Sequence, residues 1–297
     1  MTGSLWVVFT LIGSVGQIVR NATQRGLTPQ LGAGGAALVR FLFGFPFALI
    51  FMGAVTAITG APLPHVSLSF ALWILLGALT QIGGTALMLK TMELRSFVVA
   101  TAYLKTEPLL VAVMGLVLLH DPINAGMAAA ILISLFGVAL ISVQPGTLSG
   151  GMRPAAFGLA SAGLFGASAI GYRGAILALH GTGYLMPATF SLAVGLGLQT
   201  FLLMAWLLVL RRQTLAEIFR LWRPSLGAGF AGAAASQFWF LAFALATAAS
   251  VRTLALVEVL LAQGVSRYIF RQRTSSREAI GIVILVAGAI LLIRSQP

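Results

Sequence analysis

Runs of about twenty apolar residues, joined by connections only a few residues long, recur along the whole chain and restrict its fold more than any other feature. A helix needs about 20 mostly apolar residues to cross a hydrocarbon core of roughly 30 Å. On that rule ten helices are expected, at about 4–20, 33–58, 68–91, 97–119, 123–143, 154–179, 184–210, 224–247, 250–270 and 276–294. The breakers fall between them, at Thr28-Pro29, Gly60 to Pro64, Asp121-Pro122, Pro145-Gly146 and Arg223-Pro224. A closed barrel is the other way to span lipid, but the runs lack its alternation of apolar and polar residues. The expected class is therefore all-α, a polytopic membrane protein. No signal peptide is expected, because the Leu5–Val19 run lacks a basic flank and reads as a first span.

Composition agrees: 59% of the 297 residues are hydrophobic, 8% are charged and the mean hydropathy is +1.01. Soluble domains are about a quarter charged, so an ordinary soluble protein is excluded. Eighteen Lys and Arg against six Asp and Glu leave a net charge of +12. Nucleic-acid binders carry such charge in polar basic patches. Here the arginines punctuate apolar runs, so the expected partners are a lipid bilayer and a small-molecule substrate, with no nucleic acid. The absence of cysteine excludes disulfides and thiolate metal sites. His65, His120 and His180 are scattered, and no HExxH, P-loop or GxSxG motif is present. No metal, cofactor or catalytic residue is expected.

The most loop-like stretch, Gln144 to Arg153, divides the chain into a first half (1–146), a central loop (147–153) and a second half (154–297). The halves match at nearly constant offsets. Leu11, Gly13, Arg20 and Ala22 recur 153 residues on as Leu164, Gly166, Arg173 and Ala175. Gln81 and Thr91 recur at 156 as Gln237 and Thr247, with Thr80 answered by Ser236. Glu107, Leu109, Leu110 and Gly137 recur at 151 as Glu258, Leu260, Leu261 and Gly288. Matched Leu and Gly mean little in membrane sequences, but matched Arg, Gln and Glu inside apolar runs do. Five spans per half, an odd number, would insert the second half the other way up. Such inverted repeats characterise secondary transporters with a site between the halves; a repeat serving packing alone is the alternative.

Several landmarks resemble the drug/metabolite transporter superfamily, EamA-type exporters in particular. They are Ala37-Leu38-Val39-Arg40-Phe41, the run from Ala86 to Met92, Thr106-Glu107-Pro108-Leu109, and Leu118-Leu119-His120-Asp121. The second half repeats the pattern with Ala242 to Leu245, Val257-Glu258-Val259 and Phe270-Arg271. The resemblance implies ten helices, alternating access and a path lined by helices one to four and six to nine. Two departures stand out. Asp121 replaces the Glu that usually closes the fourth helix, and Val259 replaces the expected proline, so the ninth helix should be less kinked than the fourth. Related four-helix multidrug exporters bind cations with a first-helix carboxylate. Helices one and six here contain no acid, which disfavours cation export.

Ionisable groups within a membrane are costly and so mark function by default. The densest cluster is Tyr103, Lys105, Glu107 and Pro108 in the fourth helix. Tyr103 and Glu107 share a helical face, whereas Lys105 and Glu107 point about 160° apart and need a local distortion to meet one pocket. Pro108 supplies one, because it removes a backbone bond. Lys105 is expected to anchor an anionic group; the alternative is an ion pair with a carboxylate such as Glu258. A lysine in this helix is similar to the cavity lysine of nucleotide-sugar transporters. Glu107 and Glu258 are candidates for proton coupling, since a carboxylate in a low dielectric can carry a proton, or else pair with Arg40, Arg252 or Lys105. Arg40, Gln81, Gln237 and Trp239 complete the expected binding set. Interhelical hydrogen bonding accounts for the two glutamines equally well, and Arg20 is expected to snorkel to the interface.

Twelve basic residues occupy the odd-numbered connections: Arg20, Arg25, Lys90, Arg95, Arg153, Arg211, Arg212, Arg220, Arg223, Arg271, Arg273 and Arg277. Basic short loops are cytoplasmic, which puts both termini on the periplasmic side of an inner membrane. The EamA-type resemblance implies cytoplasmic termini instead. The expected protein is a monomer or weak homodimer that exports a small zwitterionic or anionic metabolite such as an amino acid. A flippase for a lipid-linked sugar and a membrane-embedded enzyme are the alternatives.

Overall fold

The computed structural model describes residues 4–94, 97–142, 152–179, 183–261 and 275–296. Every regular element among them is helical. In chain order they are α1 (Leu5–Leu42), α2 (Phe45–Thr59), α3 (Leu68–Leu94), α4 (Phe97–Leu104), α5 (Glu107–Met114), α6 (Ala125–Ser142) and α7 (Met152–Ala178). Then follow α8 (Leu185–Leu210), α9 (Arg212–Arg220), α10 (Trp222–Leu245), α11 (Ala248–Leu254) and α12 (Ser276–Arg294). Among the described residues seven helices are long and apolar enough to cross a membrane, and Leu5–Arg20 and Ala125–Ile141 are shorter apolar helices. Large apolar side chains such as Ile58, Phe201, Val209 and Val283 stand more than half exposed on the outer faces. Water would not tolerate so much uncovered apolar surface; lipid does. The chain is a multi-pass membrane protein.

The elements depart from expectation in four places. The expected break at Thr28-Pro29 is helical, and the chain bends instead at Gly32, whose φ of 66° favours a residue without a β-carbon. Residues 211–223, expected as a basic loop, form the amphipathic α9, which buries Ile218 and leaves Arg212 exposed. The fourth span is divided into α4, α5 and a π-helical turn at Gly115–Leu119. The ninth span also breaks, into α11 and a 3₁₀ turn at Ala255–Val257, although no proline interrupts it. The described part of the ninth span keeps right-handed helical dihedrals through that turn, and Glu258, which follows it, pairs with Lys105. Residues 262–270 of that span, most of the central loop, His180, Arg95, Arg271 and Arg273 lie outside the described residues.

Packing pairs distant helices: α1 on α10, α3 on α7, α6 on α12, α2 on α8, and α5 on α11. The approaches are close because small residues meet. A methyl group on Gly171 would lie 2.7 Å from the Gly77 Cα, so the backbones of α3 and α7 touch there. Small residues along α7 receive the fourth span, with Gly158 under Tyr103 and Gly166 against Val111 and Met114. Along α1, Gly13 meets Trp239 and Gly16 meets Ala235, so α1 and α10 run antiparallel.

Candidate functional site

A cavity of about 90 Å³ opens between α1, α3, the α4–α5 break, α10 and α11. It is large enough for several water molecules. Six charged side chains line it: Arg20, Arg40, Lys105, Glu107, Arg252 and Glu258. Four are cations and two are anions, so the wall carries an excess of positive charge.

The break in the fourth span brings Lys105 and Glu107 to one cavity. The Lys105 amide donates to the Ala102 carbonyl (3.2 Å) and that of Thr106 to the Tyr103 carbonyl (3.2 Å). These are 3₁₀-type bonds with about 120° per residue, which brings side chains two apart roughly 40° closer than an α-helix does. The two charges then find partners on the opposite half of the chain. Lys105 Nζ donates to Glu258 Oε1, and Gln17 Nε2 donates to the other oxygen of Glu258 at 3.3 Å. Arg252 Nε lies 2.9 Å from Glu107 Oε1, within ion-pair distance though without the alignment of a hydrogen bond. The Arg252 guanidinium also lies over Trp239, 4.6 Å from the ring centroid, and 5.5 Å from that of Phe243. Each of the two glutamates 151 residues apart is therefore paired with a cation from the other half of the sequence.

The remaining expected residues divide. Arg40 lines the cavity with 3% of its surface exposed. Gln81 lines it too, its Oε1 accepting from Tyr172 Oη (3.1 Å) and Gln199 Nε2 (2.8 Å). Trp239 forms part of the wall. Tyr103 instead packs on Gly158 and is not among the lining residues. Gln237 also stands outside the lining, donating to Thr189 Oγ1 on α8 at 2.8 Å. Arg20, expected at the interface, is 8% exposed and lines the cavity. Its stem passes over Gly232, where no side chain obstructs it. Arg173, matched to Arg20 by spacing in the sequence, does something different: Nη2 reaches Asp121 at 3.0 Å, and Nη1 donates to the carbonyls of Phe243 (2.6 Å) and Ala246 (2.5 Å). Arg173 thus caps the end of α10 and ties it to the turn before α6. Gln17 and Tyr172, not singled out from sequence, also line the cavity. Their signal was a polar group in an apolar span, the one used for Gln81.

Comparison with known proteins accords with this architecture. Residues 4–143 match the EamA-like transporter family. No curated protein matches the chain. Among solved structures 28 chains match. One, described only as the crystal structure of a protein, aligns with a TM-score of 0.67 over 96% of this chain and 95% of its own. At 15% identity the likeness shows a shared fold alone. The first half of the chain is thus similar to the EamA-like transporter family.

Proposed function

We propose that this protein is a secondary transporter of the inner membrane that exports a small zwitterionic or anionic metabolite, such as an amino acid, by alternating access between two inverted five-helix halves. The observation that carries the reading is the pair of crossed ion pairs, Lys105–Glu258 and Arg252–Glu107, in the wall of a cavity with surplus positive charge. Each joins a helix of the first half to one of the second at a point where a transmembrane helix is broken. A substrate anion drawn to the surplus positive charge of this wall alters the electrostatic balance across both pairs, so its arrival can loosen one set of contacts between the halves and favour another.

Two features support the repeat. Exchanging the halves turns the α1–α10 pair into α7–α3, and each of α2–α8, α5–α11 and α6–α12 into itself. The helix breaks at residues 105–106 and 255–257 correspond at the 151 offset. The family match also ends at residue 143, close to the expected end of the first half.

The test is solute exchange in proteoliposomes containing the full chain. Lys105→Ala is expected to abolish exchange while expression is retained. Wild-type flux in that variant overturns the role given to the cavity.

A further inference from the structure

We propose that the substrate is a small organic anion without an ammonium group, and that Arg40, rather than Lys105, holds its anionic end. The inference rests on the transporter reading and narrows its substrate class.

The charge pairing within the cavity carries the argument. A zwitterion brings a carboxylate and an ammonium, and the ammonium needs an uncommitted acceptor of negative charge. Both cavity carboxylates are already engaged, Glu258 by Lys105 and Gln17, Glu107 by Arg252. The Gln81 oxygen is likewise taken by Tyr172 and Gln199. Seating an ammonium would mean breaking a buried ion pair and leaving its cation uncompensated, which is strongly unfavourable.

The anionic end, by contrast, meets a guanidinium that lies over the Phe41 ring, 4.9 Å from its centroid, and has no carboxylate partner among the described residues. Arg40 is 3% exposed, its Nε is buried without a hydrogen-bond partner, and no carboxylate among the described residues lies within ion-pair distance of it. An uncompensated guanidinium is costly to bury, and its planar fork matches a carboxylate bidentately. Gly232 makes room for it: a methyl there would come 3.2 Å from Arg40 Cγ and 3.8 Å from Arg20 Cδ. Two cationic stems thus flank one glycine, which places a second positive charge beside the first. The Tyr172 and Phe240 rings, which also line the cavity, lie 4.7 Å apart between centroids and offer an apolar surface for the body of the ligand.

The test uses matched solutes that differ only in charge: butyrate, 2-aminobutyrate and propylamine, and 3-phenylpropionate, phenylalanine and phenethylamine. Their effect on the melting temperature of the purified full chain is measured beside proteoliposome exchange. In at least one series the carboxylate should stabilise the protein and its amino acid and amine should not. Arg40→Gln should weaken that binding at least about tenfold, equivalent to about 1.4 kcal/mol, and Arg40→Lys, which keeps the charge but not the fork, by less. If Arg40→Gln does not fold, Arg40→Lys decides: unchanged affinity overturns the assignment. Amino acids that bind and exchange where the carboxylates do not overturn the inference and leave the transporter standing. If no solute is bound or moved, both readings fall.

Discussion

Lys105 lines the cavity and is at the same time tied into the structure. Its ion pair with Glu258 is sheltered, the two side chains being 17% and 15% exposed. Removing one partner leaves an uncompensated charge, a change that costs about 3–5 kcal/mol in buried pairs. Replacing both by apolar groups of similar volume is often neutral or stabilising. Lys105→Ala should therefore lower the melting temperature in detergent, and the double variant Lys105→Met/Glu258→Leu should recover it while exchange stays absent. Recovery of exchange along with stability would make the pair a packing device only. Arg173 is the contrasting case: paired with Asp121 and capping α10, it has no charge to spare for a substrate. Spacing matched it to Arg20, yet only the positions of Asp121 and the α10 carbonyls assign the two arginines to different work.

Helix pairs are held by the close approach of small residues. At the α6–α12 crossing, a methyl on Gly137 would lie 2.6 Å from the Leu285 amide nitrogen and 2.8 Å from the Gly281 carbonyl oxygen. These are backbone atoms that cannot step aside. Gly137→Ala should destabilise the protein by about 1–3 kcal/mol, as overpacking does. Gly53→Ala, in α2 where a methyl meets nothing within 4 Å, should be neutral or slightly stabilising through helix propensity. Thermal unfolding of the two variants separates the cases; equal melting temperatures would contradict the tight crossing. The broken spans teach a related lesson. Pro108 signalled the break in the fourth helix, whereas no proline signals the 3₁₀ turn of the ninth, beside which Glu258 meets Lys105 and Gln17. A proline is visible in a sequence, whereas a charge partner 153 residues away is not.

The described ends and the turns that meet them share one side of the bundle. Asn124 Nδ2 donates to the Ser295 carbonyl at 2.8 Å, Arg173 joins Asp121 to Ala246, and antiparallel packing on α10 sets the start of α1 beside the end of that helix. The opposite side carries Lys90, Arg153, Arg211, Arg212, Arg220 and Arg223 around the ends of α3, α7, α8 and α10. Basic short loops face the cytoplasm, so alkaline phosphatase fused after Pro297 should be active, and a fluorescent protein at the same place dark. The reverse would follow the family's habit and refute the charge-based orientation.

Hydrophobic run length and the scarcity of charge suffice to specify a helical membrane protein, because lipid leaves the backbone almost no other way to satisfy its hydrogen bonds. Matched polar residues at constant offsets point to two related halves and mark Gln81, Gln237, Glu107 and Glu258, of which all but Gln237 line one cavity. Local pattern cannot pair charges across the halves. Whether Lys105 awaits a ligand or meets Glu258, whether Tyr103 faces the cavity or packs on Gly158, and whether Arg20 reaches the surface or the interior all depend on which helix lies opposite. That choice is made by packing small faces such as Gly77 on Gly171 and Gly232 beneath Arg40, at separations far beyond the reach of helical periodicity.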